Sequence, residues 1–131
     1  MRAAFKMLHG VGMDRIRSFR DLDTWQQGMN LVDAVLAATR DIPRIEFDIK
    51  RQMNRAVTSI PSNVAEGWKR KRRRGAYQNH VSIAMGSHAE LETQLEICFR
   101  NGFLQREKCK TVWTLLMRTG NLLEALHDAL D

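Results

Sequence analysis

The sequence predicts an all-α protein, an antiparallel up-down four-helix bundle whose second helix is kinked at Pro61. Three observations carry that expectation. Across 131 residues, the size of one ordinary domain, apolar residues recur at alternating spacings of three and four, and no stretch sustains a period of two. Only two prolines occur in the whole chain. The breaks between the striped stretches are short, and short breaks between long amphipathic helices make consecutive helices antiparallel neighbours.

The first helix opens at Asp21 or Asp23, either of which has the side chain of an N-cap. It places Leu22, Trp25, Met29, Val32 and Leu36 on one face. Pro43 ends it, because the residue before a proline is driven out of the helical region. The second helix runs from about 46 to 68, with Ile49, Met53, Ala56, Val57, Ile60 and Val64 forming its stripe. Pro61 falls inside it and removes one backbone hydrogen bond, which predicts the kink. Ser59, Ser62 and Asn63 are placed to bond the freed carbonyls or to recap the second half.

The third helix runs from about 76 to 100 and carries Tyr77, Val81, Ala84, His88, Leu91, Leu95 and Cys98 as its stripe. Asn101-Gly102 stops it, since both residues tolerate the left-handed conformation that closes helices. The fourth runs from about 106 to 130 through Val112, Leu115 or Leu116, Thr119, Leu122 or Leu123, Leu126 and Ala129 or Leu130. Gly120 either weakens this helix by about 1 kcal/mol relative to alanine or admits a close neighbour. Residues 1–20 have no continuing stripe and contain Gly10 and Gly12. They read as a loosely ordered lead to a bundle over 21–131, with Met7 and Met13 as alternative starts.

The composition narrows the function classes. No stretch approaches the roughly 18 apolar residues of a membrane span, and the first residues lack the apolar run of a secretory signal. Two cysteines, Cys98 and Cys109, are too few for a disulfide framework and read as reduced thiols of a cytoplasmic protein. Cys98 sits on an apolar stripe, where a thiol acts as a small hydrophobe. Cys109 lies near a helix start, where the dipole lowers a thiol's pKa. No phosphate-binding loop, dinucleotide fingerprint or zinc-type cysteine spacing occurs. Glu124 and His127 have the Glu-x-x-His spacing of di-iron bundles, but such bundles need that motif on two helices. His88 and Glu92 stand one turn apart, and a histidine on a stripe is more often a satisfied interior group than a ligand. The sequence therefore predicts no enzyme, no cofactor and no metal.

The charge is concentrated. The chain carries a formal +6, with a pI near 9.9. Between 50 and 74 lie nine basic residues, Lys50, Arg51, Arg55, Lys69, Arg70, Lys71, Arg72, Arg73 and Arg74, opposed by Glu66 alone. This window holds +8 and leaves −2 for the rest. A near-neutral body with one cationic segment is a field directed at an anionic partner.

Two long motifs carry a family resemblance. The segment 55–67, RAVTSIPSNVAEG, is followed by a basic stretch and then by 83–95, IAMGSHAELETQL. Together with Phe19, Leu22 and Trp25 and the turn 101–104, they resemble the 23S rRNA intervening-sequence protein family, over roughly 19 to 130. That family is similar in fold to the accessory proteins of diversity-generating retroelements, which form five-membered rings and bind nucleic acid and a reverse transcriptase. The resemblance implies a homo-oligomer, a pentamer, and offers no catalytic residue. Its name describes where the genes lie, within inserted segments of 23S rRNA genes. This chain departs from the usual pattern after Gly67, where six consecutive cations replace one or two.

The candidate nucleic-acid-binding residues are Lys69, Arg70, Lys71, Arg72, Arg73 and Arg74, extended by Arg51 and Arg55. Such residues neutralise phosphates and release counterions, and they read backbone rather than bases. The alternative for the run is a solvated helix end favoured by the dipole. For Arg51 and Arg55 it is pairing with Glu90 or Glu92. Trp68 and Tyr77 flank the run as candidates for stacking on bases, or else belong to the core. Glu66, Ser87, Glu90 and Glu92, with Thr93 and Gln94 beside them, suggest a structural polar network within or between subunits; the alternative is a carboxylate site for acid–base chemistry or a metal. Met117, Leu116 and Leu123 are apolar beyond one stripe and suit a subunit contact. The expected function is that of a nucleic-acid-binding accessory protein, RNA favoured over DNA only through the family name, acting as a basic homo-oligomeric ring. The alternative is an adaptor that engages a protein partner.

Overall fold

The computed structural model describes residues 16–131. Four helices account for most of them: α1 (Asp23–Thr39), α2 (Phe47–Lys69), α3 (Ala76–Arg100) and α4 (Arg106–Ala129). Single 3-10 turns occupy Phe19–Asp21 and Arg44–Glu46. Each helix packs on the next, and α1 also packs on α4, which closes a four-helix bundle. Residues in contact pair rising numbers with falling ones. Thr39 bonds Asn54, whereas Gly28 lies against Pro61. Along α2 and α3, Met53 meets Cys98, Ser59 meets Ser87 and Asn63 meets His80.

The apolar stripes of α2, α3 and α4 form the core as expected, with Val57, Ile60, Val64, Val81, Leu91, Leu116 and Leu126 fully buried. On α1 the buried face is rotated. Leu31 and Val35 are fully enclosed, while Trp25, Met29 and Leu36 are only half-buried. Apolar residues cover more than one side of this helix, and its two partners select the side that is buried.

The expected boundary at residue 20 also moves. Residues 1–15 of the expected lead lie outside the described residues, but 16–20 are part of the packed structure. Ile16 joins the core, and Ser18 caps the turn Phe19–Asp21 in a reciprocal capping box with Asp21. Asp21 thus caps that turn, accepting from the Arg17 and Ser18 amides at 2.8 and 3.2 Å. The N-cap of α1 is Leu22, without a side-chain bond, so neither aspartate caps the helix.

The helix α2 is continuous through Pro61. Ser62 and Asn63 donate to the carbonyls of Thr58 and Ser59 at 2.7 and 2.9 Å, and Ser59 turns its hydroxyl to α3. At the far end of α3, Phe103 N–H reaches Cys98 O at 2.9 Å over Gly102, whose φ is 70°. This is the six-to-one bond of a left-handed helix stop. Lys108 at the start of α4 pairs with Asp41 after α1 and ties the two connections at that end together.

Candidate nucleic-acid interface

The basic run leaves the end of α2 as a tight turn. Arg73 N–H bonds Arg70 O at 2.9 Å, Ala76 N–H bonds Arg73 O at 3.0 Å, and Gly75 enters α3 with a φ of 75°. Just before the turn, α2 and α3 approach closely. A Cβ on Gly67 would lie 2.9 Å from His80 Cβ and 3.2 Å from Tyr77 O, a spacing only glycine permits without movement.

That approach encloses the two aromatics. Trp68 is 7% and Tyr77 5% exposed, and their rings meet edge-on at 6.3 Å. Burial pushes the Tyr77 hydroxyl's pKa well above the tyrosine range. Both rings belong to the core, so the expectation that they stack on bases is corrected: side chains this deeply buried present no ring face to a base.

The six cations of the run divide. Arg70 is paired with Glu66 at 3.0 Å. Lys71 folds back over the Trp68 ring, 4.0 Å from its centroid, with Nζ 3.4 Å from Trp68 O. Burial first, then the neighbouring Arg72 and Lys69 charges, hold its pKa below the lysine range. Lys69, Arg72, Arg73 and Arg74 remain exposed, and among the described residues no carboxylate pairs with them. Arg51 and Arg55 are exposed on the outer side of α2. Neither pairs with Glu90 or Glu92, so that alternative is also corrected.

The polar network exists in a different composition from the expected one. Ser87 Oγ lies 2.8 Å from Ser59 Oγ, and Asn63 Nδ2 donates to that same Ser59 hydroxyl at 3.0 Å. Asn63 Oδ1 then meets His80 Nδ1 at 3.1 Å. With the amide nitrogen committed to Ser59, Oδ1 is the acceptor and the histidine nitrogen carries the proton. Glu66 stands 3.7 Å from His80 and closes the chain onto Arg70. Glu66 and Ser87 therefore belong to the network, whereas Glu90 and Glu92 lie outside it. Ser59, Asn63 and His80 are its missed members, and the last two, seventeen residues apart, are brought together by the close approach at Gly67.

His88 fills the space above Gly120. A Cβ there would come within 2.7 Å of its Cε1, and Nε2 lies 2.7 Å from Leu116 O. The carbonyl can only accept, so Nε2 donates. Gly120 is thus the site of close approach foreseen as one of its two roles. Among the described residues no three His, Cys, Asp or Glu converge on a metal-sized site. The cysteines are buried, and burial raises both thiols, Cys98 to about 11. For Cys109 this reverses the expected lowering, because desolvation of the thiolate outweighs the helix-start bond.

The exposed apolar surface also differs from expectation. Leu116 and Leu123 are buried. The exposed large apolar side chains of these helices are instead Ile83, Ile97 and Phe99 on α3 and Trp113 on α4; Phe99 and Trp113 line a groove of about 580 Å³ edged by Glu96, Glu107, Arg106 and Lys110. Ile45 and Phe47 are exposed in the α1–α2 connection and at the start of α2. No helix among the described residues is long and apolar enough to cross a membrane.

The molecule is thus an all-α four-helix bundle with a cationic turn joining its second and third helices. The chain matches the 23S rRNA-intervening sequence protein family over residues 20–125 and belongs to it. No curated protein matches the chain.

Proposed function

We propose that this protein is a non-enzymatic, cytoplasmic nucleic-acid-binding protein that grips phosphate backbones through Lys69, Arg72, Arg73 and Arg74. The observation that carries this reading is the division of the basic run. Two of its six cations are held by Glu66 and by Trp68, while Lys69 at the end of α2 and Arg72, Arg73 and Arg74 in the turn are exposed with no carboxylate paired to them among the described residues. Four exposed cations within six residues, three of them consecutive and none paired with a carboxylate among the described residues, exceed what a helix dipole stabilises and suit phosphates. Structured RNA is favoured over DNA through the family's name alone.

The working form is a homo-oligomeric ring, five-membered by resemblance, with each subunit adding one cationic turn and the assembly supplying avidity. The exposed Ile97, Phe99 and Trp113 support a protein contact of some kind, and they also support the second reading, an adaptor whose partner covers that surface.

Fluorescence-anisotropy binding to a structured RNA and a matched duplex DNA, from 50 to 200 mM salt, tests the first reading. Four phosphate contacts lower affinity by roughly 10²-fold over that range, and six by about 10³-fold. Neutralising Lys69, Arg72, Arg73 and Arg74 reduces both affinity and slope. Flat, weak binding that appears only with a protein partner moves the assignment to the adaptor.

A further inference from the structure

The helix that leads into the cationic turn carries a second feature on its outer side. Arg51 and Lys69 are eighteen residues apart on α2, five full turns, so they point in the same direction about 27 Å apart along the axis. Arg55, Thr58, Ser62 and Glu66 fall within an arc of about 80° around the line joining them. All six side chains are exposed. Arg51 and Arg55 form a cationic pair at one end, and Lys69 with the turn beyond it forms the other.

The middle of this stripe is flat and uncharged. The Thr58 hydroxyl bonds Asn54 O at 2.9 Å, and the Ser62 hydroxyl bonds Thr58 O at 2.7 Å. Both hydrogens are committed to the helix's own backbone, which leaves two short side chains and oxygen lone pairs outward. The Glu66 carboxylate is taken by Arg70. The other acid on this side is Asp48, in the first turn before Arg51. Two cationic ends with an unobstructed centre suit one long anion better than two small ones, since a free phosphate or a single nucleotide reaches only one end.

The stripe also distinguishes between strands. Surfaces for single-stranded nucleic acid combine cations with aromatic platforms. Between Arg51 and Arg74 the only aromatic, Trp68, is buried, and the exposed ring of this helix, Phe47, lies beyond Arg51. A duplex needs no stacking platform and holds its phosphates in a fixed array, rising 3.4 Å per base pair along each strand in B-form DNA. A separation of about 27 Å then corresponds to roughly eight base pairs.

We propose that the outer stripe of α2, from Arg51 to Lys69, is a backbone track for a nucleic-acid duplex of at least about eight base pairs, one end of which is held by the turn Arg72 to Arg74. This inference rests on the phosphate-binding reading above and adds to it a ligand form, a minimum length and a direction.

The test uses hairpins with one common loop and stems of 4, 8 and 12 base pairs, in RNA and in DNA, plus single strands of matched length. Binding is measured on the full chain, on R51A/R55A, and on K69A/R72A/R73A/R74A, with circular dichroism establishing that each variant is folded. For the unchanged protein, affinity rises at least tenfold between the 4- and 8-base-pair stems. In R51A/R55A that rise disappears, the 4-base-pair stem binds as before, and the salt slope on the 12-base-pair stem falls by about 2. R51K/R55K restores the rise. If R51A/R55A keeps the rise, the track is wrong and the turn alone binds. Single strands that bind as tightly as the stems overturn the duplex assignment. Loss of all binding at every length, in the unchanged protein, removes the phosphate-binding reading itself.

Discussion

Lys71 lies over the indole of Trp68, its ammonium 4.0 Å from the ring centroid and within 3.4 Å of the same residue's carbonyl oxygen. One cation of the basic run is therefore attached to the core it caps. This separates two effects that mutagenesis of the run as a block would merge. Lys71→Ala lowers stability by about 0.5–1 kcal/mol, the range of an exposed cation–π contact, and leaves the salt slope of binding nearly unchanged. Arg73→Ala does the reverse: it reduces the slope by about 1 with little effect on stability. Urea unfolding and salt-dependent anisotropy on the two variants check the split.

Glu66 restrains the site it borders. Its carboxylate holds Arg70 at 3.0 Å, so Glu66→Gln frees one more cation for phosphate. The expected result is tighter nucleic-acid binding and a salt slope steeper by about 1. The exposed pair itself contributes little to folding, at most about 1 kcal/mol, so the unfolding midpoint moves slightly. Unchanged affinity in Glu66→Gln shows that Arg70 has no access to the ligand.

His88 and Gly120 form a size-matched pair between α3 and α4. In the unchanged protein Gly120→Ala places a Cβ within 2.7 Å of the imidazole and costs about 1–3 kcal/mol, as overpacking does. In a His88→Ala background the same change stabilises by up to about 1 kcal/mol, because alanine is the better helix former. A double-mutant cycle by chemical denaturation reads the change of sign.

The thiols set an alkaline limit on the fold. Burial pushes Cys98 from its ordinary value of 9.0 up to about 11, and it raises Cys109 and Tyr77 in the same direction. Between pH 9 and 11 the unfolded chain releases protons that the folded chain retains, so stability falls as pH rises through that window. Lys71, shifted down, acts in the opposite sense just below 10.5, but it is exposed and its effect is small. Unfolding curves at pH 8, 9, 10 and 11 show a progressive loss, and Cys98→Ala flattens it. At pH 8 an aromatic disulfide reagent labels the two thiols only after denaturant is added.

The legible and illegible parts of this molecule differ in range. The bounds of α3, Ala76 to Arg100, are readable because a helical stripe and an Asn-Gly stop are local properties of adjacent residues. The match of 55–67 and 83–95 to a family was readable for the same reason. The buried side of α1 was not, since Leu31 and Val35 compete with Trp25 and Met29 for the interior. Trp68 beside six cations gave no local sign of being enclosed.

By itself, the sequence determined the helical period, the positions of the breaks and the concentration of charge between 50 and 74. Each of these is set by backbone geometry or by counting over neighbouring residues. Tertiary structure alone decided which cations are free, which polar groups join the chain from Ser87 to Arg70, and that His80 belongs to it. The physical reason is distance: hydrogen bonds and ion pairs act over about 3 to 4 Å, and only the approach of α2 to α3 at Gly67 brings residues far apart in the chain within that range.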